Sequence, residues 1–336
     1  MVIGNSEREP VLPRHRDAVI DFPGSRRWWW ILVLGELVVV PIGLVTLFYL
    51  LVEALPLVKL RDAAGAVAAS FVFALAAYAL FALRLGLVLE AFRLSLPRAS
   101  VWRIHLSSLF YYFFLPAGIG YDLSKGAKIA YRAPQAAKRR IAAAIVAERG
   151  VGGLGLGVLL LATVPFIEPT ADSRLAALMS SPWAWGAPIA AALLAGGLVA
   201  VYGRRAGTCH PGPLLPAIGV SAIAHLIIAG AIVFVAVSLG IPVSLPEVIV
   251  ALTATLLLQL VPVNLLGVTL GEIAAVTVYL GFGLAKPEAL LLATVAYTHR
   301  LIAAIVGGAV EAVGAWLALR RGRTGGTPTD QGVAAR

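Results

Sequence analysis

Phe113-Phe114-Leu115-Pro116-Ala117-Gly118-Ile119-Gly120-Tyr121-Asp122 interrupts a strongly apolar region of the chain. Pro116 has no backbone N–H and ends a helix, while Gly118 and Gly120 admit backbone conformations that other residues resist. Asp122 is a good N-cap and predicts the start of a new helix. In hydrocarbon each unpaired peptide group costs several kcal/mol. An unwound turn at membrane depth therefore survives only where protein buries it or it lines a wet cavity. A second break stands at Val261-Pro262-Val263-Asn264-Leu265-Leu266-Gly267. Together the two breaks are expected to build the working site of a polytopic, all-α membrane protein.

Composition supports the membrane setting. Of 336 residues, 60% are hydrophobic and 13% charged, against about 25% charged in a soluble domain. The mean hydropathy is +0.90. The formal charge of +10 does not point to nucleic acid, because the Lys and Arg fall in short stretches between apolar runs, as the positive-inside bias requires. A single cysteine, Cys209, excludes an intrachain disulfide and a cysteine-based metal site.

Working outward from the first break, an apolar piece over about 105–116 is too short to cross a bilayer. Arg93, Arg98 and Arg103 precede it; Lys125, Lys128, Arg132, Lys138, Arg139 and Arg140 follow it. Basic flanks on both sides predict a re-entrant hairpin that enters and leaves on the cytoplasmic face. Full spans are expected at about 28–52 and 64–89 before it, and at about 141–165, 183–203, 214–240 and 288–319 after it. A second re-entrant hairpin, over about 247–285, must then open on the outer side. The expected organisation is a cytoplasmic tail over 1–25, one transmembrane domain over 26–320, and a disordered tail over 321–336. Arg26, Arg27 and Trp28-Trp29-Trp30 form an interfacial anchor, and the run after them is expected to be a retained first span. Six full spans and two hairpins, with both termini inside, is the topology this predicts.

Landmarks recur about 150 residues apart. Ser95-Leu96-Pro97 matches Ser244-Leu245-Pro246, Pro116 matches Pro262, Asp122 matches Glu272, and Glu148-Arg149 matches His299-Arg300. The expected halves, about 28–165 and about 183–319, have opposite orientation, and inverted repeats with broken helices are a transporter signature.

Asp122, Glu148, Arg149, Glu272, His299 and Arg300 lie in or near apolar runs. An ionised group at the bilayer centre costs about 2.5–3.5 kcal/mol, so such groups turn inward and find partners. The expected pairs are Asp122 with Arg149 and Glu272 with Arg300. One reading makes them staples between broken helices and neighbouring spans. The other makes the arginines ligands for a lipid phosphate, with Gly118 and Gly120 exposing backbone donors at a helix start. Lys125, Lys128 and Arg132 share one helix face; a solvated cytoplasmic face is expected for them, and a ladder for lipid headgroups is the alternative. His225 is expected to be a hydrogen-bonded interior residue. Glu36 and Glu311 are interhelical partners or proton sites. No metal spacing, Walker loop, D-x-D pair or G-x-S-x-G elbow is present, so no catalytic residue, cofactor or metal is assigned.

Leu83-Arg84, Phe113-Phe114-Leu115-Pro116-x-Gly118-x-Gly120-x-Asp122, Ala147-Glu148-Arg149 and Pro262…Gly267…Gly271-Glu272 resemble the lysylphosphatidylglycerol synthase transmembrane (flippase-like) family over about 65–315 of this chain. The chain departs from that pattern at Ala117, Tyr121, Asn264, Leu265 and Leu270. The resemblance implies a cell inner-membrane protein without the soluble synthase domain of full-length relatives. It also implies a lipid flippase or lipid-binding transporter. The expected substrate is a phospholipid or polyprenyl-type lipid with an anionic phosphate headgroup, and the candidate protein partners are lipid-synthesis enzymes. Its expected lining is Asp122, Arg149, Glu272, Arg300, Gly118, Gly120, Glu148, His299 and Lys125. Two rivals belong to other classes: a membrane-embedded lipid-modifying enzyme, such as a lipid-linked glycosyltransferase, and a non-catalytic scaffold of a lipid-synthesis complex. The enzyme predicts a titratable acid facing an open cavity without an arginine partner; the scaffold predicts a closed interior and an apolar outer patch.

Overall fold

The computed structural model describes residues 63–112, 119–167, 197, 209–259, 264–265 and 268–324. The expected spans at 28–52 and 183–203, both tails apart from the last turn of the final helix, Glu36, Pro116, Gly118 and Pro262 lie outside the described residues. Eight α-helices are described: α1 Ala64–Ala91, α2 Arg98–Phe110, α3 Ile119–Arg132, α4 Lys138–Thr163, α5 Leu214–Ser238, α6 Leu245–Leu258, α7 Leu270–Gly281 and α8 Lys286–Thr324. A 3-10 turn, Val164–Phe166, follows α4.

Four of these, α1, α4, α5 and α8 up to Gly314, are long and apolar enough to cross a membrane. They match the spans expected at 64–89, 141–165, 214–240 and 288–319. Their outward faces are greasy: Val72 is 67% exposed, Val237 67% and Leu215 76%. A soluble protein rarely leaves apolar surface contiguous over long helices, whereas lipid tails accept it. The chain is a helical membrane protein. At about 1.5 Å per residue, the 39 residues of α8 extend about 58 Å, well beyond the roughly 30 Å hydrocarbon layer. It continues into the stretch expected to be a disordered tail.

The two breaks divide short helices. α2 ends at Phe110 and α3 begins at Ile119; α6 ends at Leu258 and α7 begins at Leu270. Across the second break a two-rung antiparallel ladder pairs Asn264 with Thr269 and Leu265 with Val268, which satisfies backbone groups that hydrocarbon would leave unpaired. Asp122 is not the N-cap of α3, as expected, but lies within its first turn. The helix starts earlier because Ile119 and Gly120 already join it, and an acid in the first turn still meets the positive end of the helix dipole. α6 and α8 start alike: Ser244 N–H donates to Glu247 Oε2 at 2.8 Å, and Ala285 N–H donates to Glu288 Oε2 at 3.0 Å, each reaching back over a proline suited to a first turn.

α1 and α5 also end alike. Arg93 (φ 53°) and Gly240 (φ 70°) take the left-handed conformation, and the next residue folds back, Leu94 N–H to Leu89 O at 2.8 Å and Ile241 N–H to Ala236 O at 2.9 Å. These are the bonds that satisfy terminal helix carbonyls. Helices α1 and α5 pack along each other at the centre. Around them lie two cores. Leu85, Phe92, Ile104, Ile129 and Ala144 belong to one, built almost wholly from α1–α4. Ile232, Ile249, Tyr279 and Leu292 belong to the other, built mainly from α5–α8. α2 lies against α8, where a side chain on Gly307 would strike the Leu106 carbonyl.

Candidate functional site

Two arginine–carboxylate pairs stand beside the breaks. Arg149 on α4 donates through Nε to Asp122 Oδ2 on α3. Arg300 on α8 donates through Nη2 to Glu272 Oε1 on α7, and through Nη1 to the Tyr112 hydroxyl at 3.0 Å. Both expected pairings are present. The first is the more open, with Arg149 39% and Asp122 22% exposed in their side chains; the second is 15% and 11% exposed. Asp122 Oδ1 is buried without a hydrogen-bond partner.

Deeper inside, Glu148 on α4 holds two cations at once. Its Oε1 accepts from Arg84 Nη2 on α1, and its Oε2 accepts from Lys125 Nζ on α3 at 2.5 Å. Arg84 Nη1 also donates to Ser221 Oγ on α5 at 3.1 Å. The Lys125 ammonium lies 3.7 Å from the centre of the Tyr121 ring, whose hydroxyl bonds His105 Nδ1 on α2 at 3.1 Å. Glu148 is 1% exposed, His105 1% and Lys125 0%. One turn further, Lys128 donates to Ser107 Oγ at 2.6 Å and to Glu311 Oε2 on α8 at 2.8 Å.

The expectation of a solvated lysine face is thus corrected. Lys125 and Lys128 are buried and only Arg132 is open, bonded to Ser100 Oγ at 2.5 Å. Helical spacing places the three on one face, and that face meets acids on α4 and α8 rather than water. Glu311 is an interhelical partner. His225 is the hydrogen-bonded residue expected, its Nδ1 2.7 Å from Ser221 O. His299 sits apart from the ion pairs, with Nε2 3.0 Å from Ser70 Oγ, an edge contact to Phe71, and Nδ1 without a partner. Gly120 is buried at the start of α3.

Arg84, Ser221 and Ser70 lie outside the site residues the sequence predicts. Arg84 sits about two turns before the end of α1 and reads there as a basic flank; only its place in the quoted motifs marks it. Among the described residues no group of three His, Cys, Asp or Glu is placed to hold a metal. No protein-family model, curated protein or solved structure matches the chain, so the family resemblance rests on the quoted residues alone.

Proposed function

We propose that this chain is a lipid flippase or lipid-binding transporter of the cell inner membrane, for a lipid with an anionic phosphate headgroup. The carrying observation is the matched pair of arginine–carboxylate contacts, Arg149–Asp122 and Arg300–Glu272, each beside a helix break in an otherwise apolar protein. A headgroup crossing hydrocarbon needs a polar path already in place. Guanidinium binds phosphate in the same forked geometry as carboxylate. The two acids keep the arginines neutralised between lipids and are displaced when a phosphate arrives.

The finer architecture belongs to this reading: six spans, two re-entrant hairpins and an inverted repeat with both termini cytoplasmic. Several contacts support the repeat. Exchanging α1–α4 for α5–α8 turns α2 against α8 into α6 against α4, α2 against α3 into α6 against α7, and α4 against α5 into α8 against α1, and all six contacts occur. Ser70 and Ser221 are separated by the same number of residues as Glu148 and His299. Ser70 bonds His299 directly, and Ser221 reaches Glu148 through Arg84. A lipid-modifying enzyme predicts a titratable acid facing an open cavity without an arginine partner. Asp122, Glu148 and Glu272 each carry an arginine, whereas Glu311 pairs with Lys128.

Reconstitution in vesicles with fluorescent anionic, zwitterionic and polyprenyl-phosphate lipids tests the proposal. Lipid exchange above empty vesicles is expected. Arg300→Lys, which keeps charge but loses the fork, is expected to slow it on the order of tenfold. Exchange no faster than in empty vesicles across the panel counts against transport.

A further inference from the structure

We propose that Lys125, with Arg84 and Glu148, forms a proton-carrying site that couples lipid movement to a proton gradient. Its purpose rests on the transporter reading; its chemistry does not. Arg84, Lys125 and Glu148 come from three helices and are almost wholly buried, yet two cations share one carboxylate. Charge at membrane depth is costly unless balanced. Arginine does not give up its proton, and lysine does. Loss of one proton from Lys125 Nζ leaves Arg84 and Glu148 as a balanced pair.

The surroundings fit a carrier. Facing Lys125 are Glu148 from α4, Arg84 from α1 and His105 from α2. On its own helix lie Tyr121, Asp122 and Lys128. Asp122 is taken by Arg149, and Glu311 of α8 is taken by Lys128. Lys128 therefore has an acid of its own, and Lys125 shares one. Lys125 Nζ is sealed from water, so its proton leaves only when α3 draws away from α4. The arrangement shown is the loaded, occluded one. On opening, the N–H bond breaks, the electron pair stays on nitrogen, and the proton passes to water on the open side. The same amine takes a proton from the other side after the molecule reverses. Asp122 is one turn from Lys125 on α3, so a phosphate that draws Arg149 from Asp122 disturbs the same helix turn.

Two measurements on the full chain test this. In vesicles carrying a fluorescent anionic lipid, an imposed pH gradient is expected to change the wild-type exchange rate on the order of tenfold. Lys125→Arg, with a permanent charge, is expected to lose that response, and Lys128→Arg to keep it. In detergent, the unfolding midpoint is followed between about pH 6 and about pH 10. A folded state that sheds a proton the unfolded chain still holds gains stability as pH rises. Wild type is expected to show that rise, and Lys125→Arg and Lys125→Met to lose it. A flat wild-type profile, or a rise that Lys125→Arg retains, overturns the proton site. Exchange that ignores the gradient overturns the coupling. If wild type moves no lipid at all, the transporter reading fails while the titration still decides the proton site.

Discussion

Glu148 is the residue on which the buried charges converge. Removing its charge leaves Arg84 and Lys125 facing each other without an anion. Breaking a buried pair by deleting one partner costs about 3–5 kcal/mol. Glu148→Gln is therefore expected to lower the unfolding midpoint in detergent sharply, and a second change of Lys125→Met to restore part of the loss. A double-mutant cycle reads this coupling directly. Asp122→Asn is expected to cost less, because Asp122 and Arg149 are partly open and water screens what the pair gains. The Asp122–Arg149 and Glu272–Arg300 pairs are legible in the sequence, because each acid follows a proline break and precedes its arginine by a nearly equal spacing, 27 and 28 residues. The Glu148 cluster is not. Periodicity places Lys125 and Lys128 on one face of α3 but does not say whether that face meets water or another polar helix. Arg84 resembled the basic end of a span, since its acid lies on a helix distant in the chain.

At the scale of helices, apolar runs and proline–glycine interruptions carry nearly all the information. Spans α1, α4, α5 and α8 begin and end within a few residues of where hydropathy and basic flanks place them. The start of α3 differs from the sequence expectation, because Asp122 has the chemistry of an N-cap but Ile119 and Gly120 extend the helix past it. Close helix approaches were invisible, since a glycine in an apolar run has many uses. Gly307 on α8 leaves no room for a side chain against the Leu106 carbonyl. Gly307→Val is expected to separate α2 from α8 and cost several kcal/mol, as overpacking against backbone does. Gly153→Ala, where nothing lies within 4 Å, is the matched control and is expected to hold the wild-type unfolding midpoint within about 0.5 kcal/mol of stability.

For the whole molecule, the basic residues at the ends of α1–α4 and the sparse charge around α5–α8 predict that the two hairpins open on opposite faces. Cys209 is the sole cysteine, and partial burial pushes its thiol above the ordinary range. On a Cys209→Ser background, Gln135→Cys is expected to react with an impermeant maleimide from the cytoplasmic side. Lys286→Cys is expected to react from the outer side. Labelling of both from one side would remove the inverted topology. Both positions are exposed at helix junctions, so the readout does not depend on opening the interior.

The seam between α2 and α8 limits which motions the protein can use. Where Gly307 meets Leu106 the two backbones touch with no side chain between them, and the Phe110 ring fills the notch over Gly308. Such a joint has no clearance for a helix to slide past its neighbour like a piston. It can tilt, or it must lift apart first, so the proposed transport between the two faces of the membrane is expected to proceed by rocking about this seam.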